Sequence, residues 1–194
     1  KIKAEDNIFC DLRKRSSKGF YRSAEEIKIS PKLAWILGLF LGDGYASNIK
    51  PAFDFYVSDS KVKQLLLDGI EKEFPGCHIG FQSRPGCERI YVASSQWTEY
   101  FRRHFYNANG KKTCPVELLF LEKPILKEFL RGYYAADGRK AINSKEQLEL
   151  ATVNPEIQKI VFLMIAKLGV PSGGTSKRGP IYLLAWLKKF LNLL

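Results

Sequence analysis

Runs of apolar residues and their spacing divide most of the chain into two series of elements in the same order. Residues 33–41 are apolar on nearly all sides, which predicts a buried helix, and Ser30 followed by Pro31 is a typical helix start. Alternating apolar and polar positions within residues 45–58 predict a half-buried strand preceded by a turn. The first series continues with a helix at 59–74, a hairpin at 77–94, a helix at 96–106, a loop at 107–112 and a connector at 115–120.

The second series repeats this order. Asp137 follows Asp43 by 94 residues, and Thr152 follows Ser58 by the same 94. Its elements are a helix at 124–136, a hairpin at 139–152, a helix at 154–168, a hairpin at 173–184 and a helix at 185–193. A near-constant offset indicates two copies of one unit, packed face to face as in a two-fold dimer.

The predicted fold class is therefore α+β, with duplicated αββαββα units, pseudo-two-fold symmetry and two antiparallel sheets. We divide the chain into a basic N-terminal extension at 1–30, a first repeat at 31–123 and a second repeat at 124–194. The extension has eight Lys and Arg against five Asp and Glu. Two interpretations of it stay open, a disordered tail and an arm that contacts a nucleic-acid backbone.

The strongest local signal is the way in which the first helix of each series ends. Gly38 and Gly42 in one helix, and Gly132 and Ala136 in the other, are small residues four positions apart and so share a face. Two such flat faces let helix axes approach closely. Each helix then ends in an Asp-Gly pair, which brings the two Asp side chains together if the helices pack side by side.

Two carboxylates at helix C-termini are electrostatically unfavourable, because the helix dipole is already negative there. A divalent cation would compensate, and carboxylate and carbonyl oxygens suit Mg²⁺. The predicted metal ligands are Asp43, Asp137 and the exposed carbonyls of Gly42 and Ala136. Metal held between carboxylates can activate water and neutralise a phosphodiester, which makes hydrolysis of nucleic acid the predicted chemistry.

The two segments, LGLFLGDG at 37–44 and LRGYYAADG at 130–138, resemble the paired motifs of the LAGLIDADG homing endonuclease family in its single-chain, two-repeat form. The resemblance covers about residue 30 to the C-terminus. It implies two saddle-shaped sheets over DNA, a helix interface between the halves and Mg²⁺-dependent double-strand cleavage with 3′ overhangs. It places the metal-binding acids at Asp43 and Asp137.

The resemblance also implies a polar or basic group near each centre. Lys140 fits this role in the second half, so the catalytic residues implied are Asp43, Asp137 and Lys140. Ala46 stands at the corresponding place in the first half, which would draw instead on Lys111 or Lys112. The family's earlier acid, two residues before the last, is absent from both copies.

Charge agrees with a DNA partner. The 31 Lys and Arg against 20 Asp and Glu give a net charge of +11, which predicts a polyanionic partner. Two-stranded β-ribbons fit the major groove, so the polar face of the hairpins is the predicted contact surface. Its candidate DNA-binding residues are Asp54, Tyr56, Ser58, Gln82, Arg84, Arg89, Tyr91, Arg139, Lys145, Lys177, Arg178 and Tyr182.

Other classes are excluded or disfavoured. The apolar run at 33–41 is far shorter than the ~20 residues of a spanning helix, and residues 1–30 lack the apolar core of a secretion signal, so we expect an intracellular protein with no membrane partner. The four scattered cysteines form no CxxC pair, which disfavours a zinc finger. P-loop, dinucleotide-binding and Ser/His/Asp signatures are not found.

The first hypothesis is a monomeric, Mg²⁺-dependent, site-specific DNA endonuclease. An RNA maturase that acts on intron RNA, or a DNA-binding regulator on the same scaffold, is the alternative. A third possibility is the homing domain of an intein without its splicing domain, since the chain begins with Lys1 and ends in Leu194 rather than in splicing residues.

Overall fold

A computed structural model of the chain describes residues 8–15, 21–140, 148–150, 152, 154–170, 172–173 and 181–183. For residues 8–15 and 21–26, Lys140, Gly173 and residues 181–183 it describes the backbone alone. The helices are α1 (Pro31–Asp43), α2 (Ser60–Glu73), α3 (Ser95–His104), α4 (Lys123–Asp137) and α5 (Pro155–Lys167), with a 3₁₀ helix at Val116–Phe120. The strands are β1 (Ile8–Arg15), β2 (Tyr21–Lys28), β3 (Gly44–Ala46), β4 (Ala52–Val57), β5 (His78–Arg84), β6 (Cys87–Ala93), β7 (Gly138–Lys140), β8 (Leu148–Leu150), β9 (Ser172–Gly173) and β10 (Ile181–Leu183).

The duplication is confirmed by the topology of the two four-stranded sheets. The first sheet has the order β3-β4-β6-β5 and the second has the order β7-β8-β10-β9. Every pairing in both is antiparallel. Each half thus places its first strand directly after an Asp-ended helix and its second hairpin at the outside of the sheet.

Side-chain caps fix where the helices begin. Ser30 Oγ accepts from the Leu33 N–H at 3.0 Å, as the sequence predicted. Asp59 caps α2 with two such bonds, and Asn154 caps α5 in the same manner. Two of these caps also make tertiary contacts, because Ser30 Oγ donates to Glu73 at 2.6 Å and the Asn154 amide donates to the Lys112 carbonyl at 2.6 Å.

Helices α1 and α4 pack against each other along the molecule's centre, and two glycines set how closely they approach. A Cβ atom added to Gly38 would lie 1.9 Å from the Phe129 carbonyl oxygen, and one added to Gly132 would lie 1.9 Å from the Trp35 carbonyl oxygen. Backbone therefore touches backbone in both directions, which only glycine permits. The flat helix faces predicted from the small residues are real.

The core lies between this helix pair and the inner face of the first sheet. Phe53 and Phe55, on the face of β4 that the alternation pointed inward, are fully buried. Phe40 of α1 stacks on Phe101 of α3 with ring centroids 3.8 Å apart and meets Phe55 edge to face. The opposite face of this sheet carries no helix among the described residues, so it is open.

The extension is not an unstructured tail over the residues described. β1 and β2 form an antiparallel hairpin, and β1 contacts α3. Ile29, at its end, is buried. The tail interpretation is therefore wrong for these strands, because apolar residues such as Ile27 and Ile29 anchor the hairpin's base to the core.

The predicted final helix at 185–193 lies outside the described residues. Within the described part of the chain, no helix combines the length and apolar character needed to cross a membrane.

Candidate functional site

The two motif acids meet at one end of the central helix pair. Asp43 is the last residue of α1 and Asp137 the last of α4. A Cβ atom added to Gly42 would lie 2.4 Å from the Ala136 Cβ and 3.0 Å from the Asp137 Oδ2. The close packing of small residues therefore delivers the Asp137 carboxylate against the end of the other helix, as the sequence predicted.

The turns that follow the two acids are built alike. A Cβ added to Gly44 would lie 2.2 Å from the Phe40 ring, and one added to Gly138 would lie 2.2 Å from the Tyr134 ring. In each copy an aromatic ring covers the glycine, and the chain enters the first strand of the sheet directly. Helix end, acid and sheet are thereby held in one fixed relation in both halves.

Burial and proximity disfavour the charged form of both acids. The pKa of Asp137 is raised to about 6, first by burial and then by the negative charge of Asp43. Burial also raises the pKa of Asp43, and the positive charge of Lys112 opposes this rise. Two carboxylates held together against their own repulsion form a site whose charge balance improves when a cation binds.

Lys112 supplies a cation at the end of α1. Its Nζ donates to the Gly42 carbonyl at 2.9 Å and to the Gly44 carbonyl at 2.5 Å, and lies 5.1 Å from the centre of the Phe40 ring. Burial lowers the pKa of Lys112 to about 8, although the charges of Asp137 and Asp43 oppose this. An ammonium group with a pKa near neutrality beside two acids can exchange a proton with a neighbouring group.

The sequence had left Lys111 and Lys112 as equal candidates for the first centre. The structure brings Lys112 to the helix end and leaves Lys111 exposed. The loop that carries Lys112 is held from the second half, since the Asn154 side-chain amide donates to the Lys112 carbonyl at 2.6 Å.

Lys140 is placed by its backbone alone. Its backbone lies in β7 and pairs with Leu148 of β8. Ala46 occupies the corresponding place in β3, and it is buried. The assignment of Lys140 as a catalytic residue stays a prediction.

Tyr133 is a neighbour of the site that sequence reasoning missed. It is buried on α4 one turn before Asp137. Burial, followed by the nearby charge of Asp137, raises the pKa of Tyr133, so its hydroxyl stays protonated beside the carboxylate. The sequence did contain an indication of this role, because the first copy has the apolar Leu39 four residues before Asp43, where the second copy has a tyrosine.

The donors at the helix ends fit a hard cation better than a soft one. Among the described residues, no group of three or more His, Cys, Asp and Glu side chains could hold a metal ion. The helix ends nevertheless offer two carboxylates and backbone carbonyls, and Mg²⁺ commonly binds through one or two carboxylates with water completing its shell. The Gly42 carbonyl, predicted as a ligand, accepts one hydrogen bond from Lys112 and keeps a second lone pair for a metal.

Arginine and glutamine side chains form a connected network on the open face of the first sheet. Arg89 donates through Nε and Nη2 to Asp54 Oδ2, at 3.0 and 2.7 Å, and through Nη1 to Gln82 Oε1 at 3.0 Å. Arg84 donates to the same Gln82 oxygen at 3.1 Å. The hydrogen bond to Asp54 raises the pKa of Arg89 further above its already high usual value.

Most residues predicted to bind DNA from the first half lie on this open face. Tyr56, Gln82 and Arg84 are exposed, as is Ser58 just beyond β4. Asp54 differs from the prediction: it lies on this face by register but is 1% exposed, because it sits between Tyr45 and Tyr91 and is paired with Arg89. In the free protein Asp54 therefore holds Arg89 rather than facing solvent.

The second sheet presents Arg139 in a related manner. Arg139 Nε donates to Glu149 Oε2 at 2.5 Å, and the Arg139 side chain is 56% exposed while that of Glu149 is 6% exposed. Tyr182 pairs with Glu149 on the other side. The remaining predicted contacts, Lys145, Lys177 and Arg178, lie outside the described residues.

Comparison with known proteins agrees with this architecture. Residues 124–185 match the LAGLIDADG-like domain, LAGLIDADG_3. The chain is similar to the replication factor C small subunit of Methanocaldococcus jannaschii, with 27% identity over 150 residues that cover 75% of this chain and 8% of that protein. It is similar to a DNA polymerase of Thermococcus hydrothermalis, with 27% identity over 162 residues that cover 76% of this chain and 9% of that protein.

Among solved structures, the chain is similar to I-DmoI in complex with DNA and Mn. The TM-score is 0.61 at 17% identity, covering 85% of this chain and 96% of that one. This likeness confirms the fold expected from the resemblance, a two-repeat α+β architecture with antiparallel sheets. The chain spans less than a tenth of the length of the two sequence relatives named above.

Proposed function

With the LAGLIDADG-like domain and the LAGLIDADG fold as premise, we propose that this protein is a site-specific endonuclease that cuts both strands of duplex DNA with Mg²⁺. The observation that carries the proposal is the meeting of Asp43 and Asp137 at the ends of two glycine-packed helices, next to an amine with a lowered pKa. The open face of the first sheet, together with the exposed Arg139 of the second, would supply the surface on which a duplex lies. The DNA and Mn named for I-DmoI support the partner and the class of cofactor.

The residues divide the work as follows. Asp43 and Asp137 would hold the metal, with the carbonyls of Gly42 and Ala136 as further candidate ligands. When bound, Mg²⁺ supplies charge neutralisation at the phosphate and a more acidic bound water. Lys112, already within reach of the helix end, would stabilise charge on a phosphate oxygen or move a proton. Lys140 is proposed to serve the other strand.

We further propose that the chain is the nuclease part of an intein. The sequence relatives are long replication proteins, and the match occupies a small part of each. A segment that is shared by an unrelated polymerase and clamp-loader subunit fits a mobile element better than a part of either activity. If so, the cleavage site lies in a replication gene that lacks the insertion.

The test compares Asp43→Asn and Asp137→Asn with the unaltered chain on a randomised duplex DNA library. The wild-type protein should enrich cleaved molecules that carry one sequence in Mg²⁺. Each Asn variant should bind the enriched duplex within about threefold of wild type but cut it at least about a thousandfold more slowly, because the metal ligand is lost.

Asp68→Asn is the matched control, since Asp68 is exposed on α2 and bonded only to Gln64 in the described structure. Full double-strand cleavage by both motif variants would refute the proposal. Selective DNA binding by wild type without any cleavage would favour a regulator on this scaffold, and binding restricted to intron RNA would favour a maturase.

A further inference from the structure

The two sheets share a row of residues that runs across their strands on the open face. In the first sheet the register aligns Tyr45, Asp54, Tyr91 and Gly80. In the second it aligns Arg139, Glu149, Tyr182 and Gly173. The last three members of each row are therefore the same kind in both: an acid on the second strand, a tyrosine on the third and a glycine on the outermost.

The first sheet shows why the glycine belongs to this row. A Cβ added to Gly80 would lie 2.0 Å from the Tyr91 ring, so the ring lies across the outermost strand where only glycine leaves room. The Tyr91 ring therefore covers the outermost strand at Gly80. Asp54, in the middle of this row, is buried although it lies on an otherwise open face.

Each covered acid binds one arginine. Asp54 accepts two hydrogen bonds from Arg89, and Glu149 accepts one from Arg139. These pairs are not well explained as a source of stability, because the desolvation penalty of a buried carboxylate offsets much of the free energy gained from the ion pair. Asp54 Oδ1 is moreover buried without a hydrogen-bond partner among the described residues.

Fixing the arginine is a better account of both acids. An arginine that uses Nε for a carboxylate keeps its two Nη groups, and Nη1 and Nη2 together match the O6 and N7 acceptors of guanine in the major groove. Arg139 has this arrangement, with its side chain more than half exposed. Arg89 differs, because it uses Nε and Nη2 for Asp54 and Nη1 for Gln82, which leaves one N–H on each Nη for a base. A guanidinium held in place before DNA arrives loses less rotamer freedom on binding.

We propose that Glu149 and Asp54 are positioning residues that hold Arg139 and Arg89 as readers of guanine, one in each half of the DNA target. This inference rests on the proposed DNA-binding function. The two readers are not equivalent, because Arg139 takes the first-strand place that Tyr45 holds in the first sheet, whereas Arg89 reaches its acid diagonally from the third strand.

The two arginines lie on different strands, and so at different distances from the helix ends. Arg139 lies two residues after Asp137, next to the helix end, whereas Arg89 lies two strands out from the corresponding place. Two strand spacings are about 10 Å. Arg139 should therefore read a base pair close to the cut, and Arg89 one farther away in the other half-site.

The test uses the full chain and a randomised duplex library, selected by binding with Ca²⁺ in place of Mg²⁺ so that no cleavage is needed. The enriched duplex is then varied at one base pair at a time. Arg139→Ala should lower discrimination at one G·C pair about tenfold and leave other positions unchanged. Glu149→Gln should flatten preference at that same pair, and combining the two changes should add little to Arg139→Ala alone.

Two further variants keep the outcome clear if the single changes unfold the sheet. Arg139→Gln with Glu149→Gln replaces the ion pair by a neutral hydrogen-bonded pair, so it should fold and still lack the preference. Glu88→Gln is the matched control, since Glu88 lies in the first sheet and pairs with Lys63 at 2.5 Å on the helix-covered face. It should leave every base preference unchanged.

Loss of preference at the same base pair in the Arg139 and Glu149 variants supports the inference. A uniform loss of binding at all positions in Glu149→Gln, or an unchanged base preference in Arg139→Ala, overturns it. Selective binding by wild type without cleavage in Mg²⁺ would defeat the nuclease proposal and leave this inference standing. Cleavage with no change in base preference would do the reverse.

Discussion

In the first half of the molecule Tyr45 stands beside the buried acid Asp54, whereas in the second half Arg139 stands at the same place beside Glu149. The strand order, the helix ends and the glycine turns of the two halves are otherwise alike. The same contrast recurs at the centre, where Lys112 binds the end of α1 from a loop and Lys140 follows α4 within a strand. The two halves share the residues that the backbone packing requires and differ on the open sheet face and beside the helix ends.

The halves should be equally sensitive at their shared interface. Gly38→Ala and Gly132→Ala each place a Cβ against a carbonyl oxygen of the facing helix, so each should lower the free energy of unfolding by about 3 kcal/mol. Denaturant unfolding of the two variants checks this. Gly69→Ala is the control, because its Cβ would meet side chains rather than backbone, with Ile36 Cδ1 at 2.9 Å and Lys32 Cγ at 3.5 Å, and α2 gains helix propensity. If only one of the two variants lost several kcal/mol of unfolding free energy, the two halves would contribute unequally to the interface despite their similar distances.

The halves should differ at the lysines that we propose act in cleavage. Lys112→Met removes the ammonium group from one helix end only, so we expect cleavage of one DNA strand to slow about a hundredfold and nicked circles to accumulate. Supercoiled plasmid carrying the selected site reports both products. Lys111→Met, an exposed neighbour, should cut like wild type. Equal slowing of both strands would mean that Lys112 serves a single shared centre.

The halves should also differ in their hold on the DNA backbone. The second half from residue 125 carries +6, whereas residues 31–124 carry +2. Replacing Lys145, Lys177 and Arg178 by Gln should reduce the slope of log affinity against log salt by up to about 3. The corresponding change of Lys50 and Arg84 should reduce it by less. Equal reductions in the salt slope from the two sets of changes would contradict unequal binding of the DNA backbone by the two halves.

The smallest expected effect is a change in the stability of the metal-free protein when Asp137 is replaced. The pKa of Asp137 in the folded chain, about 6, lies above the 3.8 of an Asp in the unfolded chain, so the folded chain binds the proton more tightly and should lose stability as the pH rises from about 4 to 6. Asp137→Asn should remove this loss and stabilise the chelated protein at pH 7 by about 1 kcal/mol, allowing for partial exposure. Thermal unfolding in chelator measures it. Mg²⁺ should stabilise wild type and leave the variant unchanged.

Sequence reasoning reached the elements that local rules dictate. Caps such as Ser30 and the small-residue faces of the motif helices depend on residues near one another in the chain, and they predicted both helices and their meeting. Register across strands is not local. Glu149 could not be assigned to a face because residues 147–152 alternate poorly, and only pairing with Arg139 and Tyr182 places it. Lys112 reaches Gly42 across 70 residues, a distance that no motif spacing reports.

The amide of Asn154 limits how far the two halves can be exchanged between relatives. Its oxygen accepts from the Glu156 N–H at the start of α5, while its nitrogen donates to the Lys112 carbonyl of the other half. The first half therefore carries a lysine loop that the second half fastens. A chimera that joins the first repeat to a foreign second repeat would need to bring residues 106–113 and 154–157 from one parent. A homodimer of the first repeat alone would have to fasten that loop in another way.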